Sequence, residues 1–294
     1  MIMYYIEPVF RPPSEWKSYI LQVTNGCSWN KCTFCEMYTA PQKDFHFKER
    51  DRLQNELHIL GQQSVKPQRV FLADGDAMTL SVRRLTQILE DIKHYLPQVS
   101  RVSSYCLPRN LKNKSVEELK HLKSLGLKMV YVGCESGDDE VLQLVNKGEN
   151  FQSSLEALQK LKAAGIKSSV MILNGLGGSK LSEQHSINSA KLMNEAQPEY
   201  LSTLVVSFPK GLDRFQAQYP DYQPLNQMQL FNEMEILLSH LELEKTIFRS
   251  DHASNYLVLK GILNQDKEKL LKQVQLALHQ PGSIPLRQEW QRGL

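Results

Sequence analysis

Arg69-Val70-Phe71-Leu72-Ala73-Asp74-Gly75-Asp76, followed by Ser81 and the apolar positions Val82, Leu85, Ile88, Leu89 and Ile92, decides the fold. The near-continuous apolar run suits a strand covered on both faces. Asp-Gly-Asp ends it with turn chemistry. The spacing of the later residues predicts a helix with Ser81 as its N-cap. A strand, a glycine-containing polar loop and a helix form the repeating unit of a parallel sheet.

The unit recurs on both sides. Residues 18–24 predict the first strand, and Leu53, Leu57 and Leu60 the helix after it. Residues 101–105 predict a third strand. Ser115 then caps a helix whose Val116, Leu119, Leu122 and Leu125 repeat every third residue until Gly126 stops it. Residues 128–133, 168–173 and 201–206 complete the strands. Between them lie helices marked by Phe151, Leu155, Leu158 and Leu161, and by residues 181–195. Six such signals mean parallel strands with right-handed crossovers, in an open doubly wound sheet or a full or partial barrel. Either plan gathers ligand groups at the carboxyl ends of the strands. After Pro209 the rhythm breaks: 211–224 reads as a loop, Leu230 to Leu241 as a helix, 246–249 as a short strand and 266–278 as a helix. Residues 209–294 are expected to pack as an extension on a core formed by 1–208.

Composition narrows the classes. At roughly 150 residues per domain, 294 residues make about two domains or one α/β barrel. The net charge of 35 − 32 = +3 is too mild to imply a nucleic-acid or membrane partner. No apolar run approaches the roughly 18 residues of a membrane span. The first eight residues lack a basic n-region, so a cytoplasmic protein is expected.

Three of the five cysteines fall in Cys27-Ser28-Trp29-Asn30-Lys31-Cys32-Thr33-Phe34-Cys35, directly after the first strand. An odd, clustered count argues against a disulfide framework. Three thiolates on one loop can each hold one iron of a [4Fe–4S] cluster and leave the fourth iron open. An open metal site is where catalysis occurs. Two other readings exist. Cys32-Thr33-Phe34-Cys35 can act as a dithiol pair, which leaves Cys27 idle, or a structural zinc can take His46 or His58 as its fourth ligand. Cys106 and Cys134 stand apart, and strand alternation turns Cys134 into packing.

Thr24-Asn25-Gly26-Cys27 through Cys35-Glu36-Met37-Tyr38 resembles the cluster loop of the radical S-adenosylmethionine (SAM) superfamily. The match is to the branch related to anaerobic coproporphyrinogen oxidases and methylthiotransferases. The family spacing is three residues and then two; here it is four and then two. Phe34, an aromatic before the last cysteine, is also family-like. The resemblance covers about residues 18–208 and implies an α/β fold, a partial (β/α)6 TIM-type barrel with a mainly helical C-terminal extension. It implies a [4Fe–4S] cluster on Cys27, Cys32 and Cys35, with SAM as the second cofactor. In place of a Gly-Gly-Glu-like loop, Gly75 and Asp76 would hold the SAM ammonium, the glycine by close backbone approach and the acid by charge-assisted hydrogen bonding. Glu135 or Ser136 would reach the ribose. Leu173 and Gly175, in Leu173-Asn174-Gly175-Leu176-Gly177-Gly178, would line the adenine side. That glycine order is not the Rossmann fingerprint.

The resemblance further implies a flavodoxin- or ferredoxin-like electron donor and a 5′-deoxyadenosyl radical that takes hydrogen from a substrate. A small molecule is favoured over RNA by the mild charge and the lack of a basic tail. With no second cysteine group, an auxiliary cluster is not expected. Arg249, His252 and Asn255 either line a substrate pocket or make a turn with capping groups. The competing class is a non-catalytic zinc- or iron-binding protein using the same loop.

Overall fold

The computed structural model describes residues 5–293. They form two compact units: one made of the residues up to 30, 35–132 and 159–168, the other of 31–34, 133–158 and 169 onward. In chain order the elements are β1 (Tyr19–Gln22), β2 (Thr24–Asn25), β3 (His46–Phe47), α1 (Arg50–Gly61), β4 (Arg69–Ala73), α2 (Val82–Tyr95), β5 (Arg101–Cys106), α3 (Val116–Ser124) and β6 (Leu127–Glu135). They continue with α4 (Asp139–Leu144), α5 (Phe151–Ala164), β7 (Lys167–Asn174), α6 (Gly178–Ala196), β8 (Tyr200–Val205), α7 (Asp213–Gln216), α8 (Gln227–His240), β9 (Ile247–Ser250), β10 (Leu259–Ile262) and α9 (Lys267–His279). Strand order is β1-β4-β5-β6 in the first unit and β7-β8-β9-β10 in the second, with β2 and β3 as a separate ribbon.

In the first unit β1, β4, β5 and β6 pair in parallel, with Leu21 opposite Leu72 and Leu72 opposite Ser104. Val70 to Ala73 are fully buried, as a strand covered on both faces requires. Ser81 caps α2 by accepting from the Arg84 N–H, and Leu85, Ile88, Leu89 and Ile92 are its buried stripe. Ser115 and Glu118 form a capping box on α3, at 3.1 and 2.8 Å. At the start of β5, the buried Glu15 carboxylate accepts from Arg101 and from the Tyr131 hydroxyl, each at 2.7 Å. A charge so placed must be paired.

In the second unit β7, β8 and β9 are parallel, and β10 closes on β9 antiparallel. Inside the 211–224 stretch, read as loop, α7 buries Phe215 with Tyr219 and Tyr222 against Val141, Val145, Leu173 and Leu176, and Phe34 lies against this cluster. The strand expected at 246–249 is β9. The polar stretch after it makes a turn fastened to β8. Asn255 accepts from the Val205 N–H at 2.9 Å and donates to the Thr203 carbonyl at 2.8 Å, while His252 Nδ1 meets Ser254 Oγ at 2.9 Å. Arg249 donates to the Phe248 carbonyl.

All six expected strands are present. The helix expected at 181–195 starts earlier, at Gly178. The β2–β3 ribbon, α4 and β10 were not anticipated from the sequence. No helix among the described residues is long and apolar enough to cross a membrane.

Candidate functional site

In the first unit, β4 ends in Asp74-Gly75-Asp76, and each residue is fixed differently. Asp74 is fully buried and ion-paired with the equally buried Lys43, whose ammonium also donates to the Ile6 carbonyl at 2.8 Å. The Thr24 hydroxyl accepts from the Asp74 N–H at 3.2 Å. Gly75 has no room for a Cβ, which would fall within the Tyr38 ring. Asp76 is fully buried, and one of its oxygens accepts from the Ser28 hydroxyl. Its other oxygen, Oδ1, has no hydrogen-bond partner. Burial pushes the Asp76 carboxyl up to about 6, although the Ser28 and Asn110 side chains and the Arg109 charge pull the other way. Ser28 directly follows Cys27, so this bond ties the start of the cysteine loop to the predicted SAM-ammonium loop.

Gly75→Ala tests that packing. The added methyl must displace Tyr38, and overpacking of this kind costs about 1–3 kcal/mol. The urea midpoint should fall accordingly, and Tyr38→Leu in the same chain should restore part of it.

The cysteine loop is held along its length. Gly26 (φ +66°) leaves no space for a side chain against the Lys43 carbonyl. The Trp29 ring lies under the Arg109 guanidinium at 3.9 Å, and Asn30 donates to the Tyr38 carbonyl at 2.8 Å. In the second unit, Thr33 donates through N–H and hydroxyl to the Val145 carbonyl at 3.1 and 3.3 Å. Cys27 and Cys35 are half-buried, Cys32 is buried, and none is in a disulfide. Among the described residues no three His, Cys, Asp or Glu converge as they would around a single ion. A cubane cluster makes a different demand, because each thiolate takes its own iron. The two candidate zinc histidines have other partners: His46 Nδ1 meets the Asp44 carbonyl and His58 Nε2 meets Gln62. An all-thiolate donor set suits the cluster. The unpartnered Asp76 oxygen suits an ammonium.

Beside this loop lies an aromatic face. Tyr105 stands opposite Tyr131 and Ser103 opposite Phe71. The Phe71 and Tyr105 rings meet edge-on at 5.1 Å, and Ser103 Oγ and Tyr38 OH are buried without partners. The Cys35 and Asp74 charges both act on Tyr105, though burial is the main cause of its raised pKa.

In the second unit, Glu135 ends β6 in a left-handed conformation (φ +67°), ion-paired at 3.1 Å with the buried Lys147. Burial opposes the Lys147 charge, yet Glu135 and the Cys32 thiol hold its pKa above the ordinary value. Ser136 is fully buried, and its hydroxyl is engaged by His185 Nδ1 at 2.7 Å. Gly175 (φ +83°) has both backbone groups occupied: its N–H by Glu233 and its carbonyl by the Tyr222 hydroxyl, at 2.6 and 2.9 Å. Leu173 belongs to the apolar cluster. Between them sits Asn174, which sequence reasoning passed over. Its Oδ1 is buried without a partner. Lys43, Lys147 and His185 were passed over as well, since each reads as an ordinary surface residue.

Glu233 is itself buried and takes hydrogen bonds from Gly175 and Ser182, yet burial dominates and lifts its carboxyl to about 7. A raised acid pKa means the folded chain holds its proton longer than the unfolded one. Its contribution is therefore complete below pH 4.5 and lost as pH rises through 7. A shift of this size amounts to about 3 kcal/mol. The stability difference between the native chain and Glu233→Gln, measured by urea denaturation, should drift against the native chain over that window and level off above it.

Against known families, residues 21–190 match the Radical SAM superfamily, more than half of the chain. This chain belongs to the Radical SAM superfamily. The superfamily uses a [4Fe–4S] cluster and SAM. The chain is 23% identical over 182 residues to the heme chaperone HemW of Bacillus subtilis, covering 60% of this chain and 47% of that protein. It spans about half or less of the length of the curated relatives it matches. Two solved Radical SAM structures share its fold. Coproporphyrinogen III oxidase (HemN) from Escherichia coli has a TM-score of 0.56 at 15% identity, over 76% of this chain and 51% of that one. The radical SAM methyltransferase TsrM from Kitasatospora setae, solved with cobalamin and a [4Fe–4S] cluster, has a TM-score of 0.51 at 18% identity, over 63% and 34%. The partial (β/α)6 barrel plan expected from the sequence is the fold these Radical SAM structures share.

Proposed function

We propose that the chain is a radical SAM enzyme acting on a small molecule, with Cys27, Cys32 and Cys35 holding a [4Fe–4S] cluster. The observation that carries this reading is the Ser28–Asp76 hydrogen bond, which joins the cysteine loop to a buried acid with one unpartnered oxygen. A cluster held by Cys27, Cys32 and Cys35 would supply, once reduced, the electron for cleaving SAM, and with it the means of hydrogen abstraction from a substrate. The chain's own part is orientation and exclusion of water. Asp76 Oδ1 accepts from the SAM ammonium, and Gly75, lacking a side chain, lets the Tyr38 ring pack against the loop that carries Asp76. Glu135 accepts from the ribose hydroxyls, with Ser136 set behind it. Leu173 and Gly175 line the adenine by packing alone, since Glu233 and Tyr222 hold the Gly175 backbone groups. The Phe71–Tyr105–Tyr131 face, with Ser103 and Tyr38 as polar contacts, receives the substrate. A flavodoxin- or ferredoxin-like protein delivers the electron.

The test is anaerobic reconstitution followed by SAM and dithionite. About four irons per chain and dithionite-dependent 5′-deoxyadenosine support the reading. Zinc in place of iron and no SAM binding defeat it. The HemW relatives favour one other reading, a haem carrier, for which haem binding without SAM cleavage is the signature.

Asp76→Asn keeps an acceptor for Ser28 but loses the charge offered to the ammonium. A hydrogen bond to a charged group contributes about 1.5–3 kcal/mol, so KM for SAM should rise roughly ten- to a hundredfold at unchanged iron content.

A further inference from the structure

We propose that His185 is a positioning residue that holds the β6-end turn and the β7 end at one fixed separation, so that the ribose and adenine subsites are set before SAM arrives. The proposal rests on the radical SAM reading above.

The geometry is a relay of hydrogen bonds with one polarity. The Asp138 N–H donates to Ser136 Oγ at 3.0 Å, and Ser136 Oγ lies 2.7 Å from His185 Nδ1. The other ring nitrogen of His185 serves the Leu173 carbonyl. A carbonyl only accepts, so that nitrogen carries the proton, Nδ1 accepts, and the Ser136 hydroxyl donates to it. Only the neutral ring can do both. Burial disfavours its charge and lowers its pKa to about 4, which keeps it neutral across the physiological range.

The surrounding ties give the relay a rigid base. Asn188 donates to Asp138 at 2.6 Å and Gln184 at 3.2 Å, and the Gly137 N–H donates to Ser189 Oγ at 2.9 Å. A Cβ at Gly137 would collide with the Asn188 carbonyl. Asp138 also caps α4 through the Val141 N–H. These bonds seat the turn on α6, and His185 adds the tie to the residue that ends β7's apolar run. A ligand that touches both strand ends binds best when their spacing costs nothing to organise.

The test is a substitution series on the full chain, loaded anaerobically, with iron content and cluster spectrum checked for each variant. Asn at 185 retains an acceptor near the place of Nδ1, Gln retains a donor near the place of the far nitrogen, and Leu retains neither. His185→Leu should raise both the KM and the Kd for SAM about tenfold or more while kcat for 5′-deoxyadenosine changes little, the signature of lost binding. Asn and Gln should fall between Leu and the native chain. Adding Ser136→Ala to His185→Leu should cost less than Ser136→Ala costs in the native chain, because the two side chains share one bond, while Ser136 also accepts from the Asp138 N–H. A Leu variant with full iron, native KM and native Kd overturns the proposal, as does a fall in kcat with KM unmoved. If the Leu variant does not fold, Asn and Gln make the same comparison. A native chain that takes up iron but neither binds nor cleaves SAM refutes the radical SAM reading instead. A native chain that cleaves SAM, with a series that leaves KM unchanged, refutes this inference alone.

Discussion

Cys32→Ala, purified and reconstituted without oxygen, should lose the [4Fe–4S] cluster and with it all dithionite-dependent 5′-deoxyadenosine. The expected loss is total because a cubane needs a thiolate on each protein-bound iron, and an alanine offers no ligand at all. Position 32 is the most informative of the three. Its side chain is buried, and its neighbour Thr33 is fastened to the Val145 carbonyl, so the loop backbone should keep its path. Iron analysis and the visible spectrum read the outcome, and circular dichroism checks that the chain is still folded. A variant that kept its full iron complement would assign the ligands elsewhere.

Lys43→Met should be the most destabilising single change at the strand ends. Both members of the Lys43–Asp74 pair are fully buried, and removing one partner of such a pair costs about 3–5 kcal/mol, because the remaining charge loses its compensation. The cost reaches beyond the pair. Burial already pushes the Asp74 carboxyl up, and without the ammonium it gives up its charge more readily still. Chemical denaturation should show the fall in midpoint. The double variant Lys43→Met/Asp74→Asn should recover much of it, since it leaves no unpaired charge. Recovery to the native level or above would be no surprise, given how often apolar replacements match buried ion pairs.

The parts of this molecule that could be read from the sequence are those encoded locally. β4 announces itself as five apolar residues closed by Asp-Gly, and Ser81 and Ser115 cap their helices by reaching only three residues ahead. The cysteine spacing is likewise local. What stayed hidden depends on partners far along the chain. Lys43 finds Asp74 across 31 residues, and in Pro41-Gln42-Lys43 nothing distinguishes that lysine from a solvated one. Gly175 was expected to line the adenine side. Its N–H and carbonyl are taken by Glu233 and Tyr222, 58 and 47 residues away. Glu135 or Ser136 was expected to reach the ribose, and the Ser136 hydroxyl meets a histidine 49 residues later. Periodicity reports which side of an element is buried, but it does not report which polar group will be waiting there.

The stacking of Arg109 on Trp29 equips the cysteine loop with its own optical reporter. Of the three tryptophans, Trp16 and Trp290 are largely exposed and supply a steady, water-like emission. The half-buried indole lies two residues from Cys27, close enough for an iron–sulfur chromophore to quench it. With the cluster on Cys27, loading and loss of iron should be readable by fluorescence in real time, with no label attached.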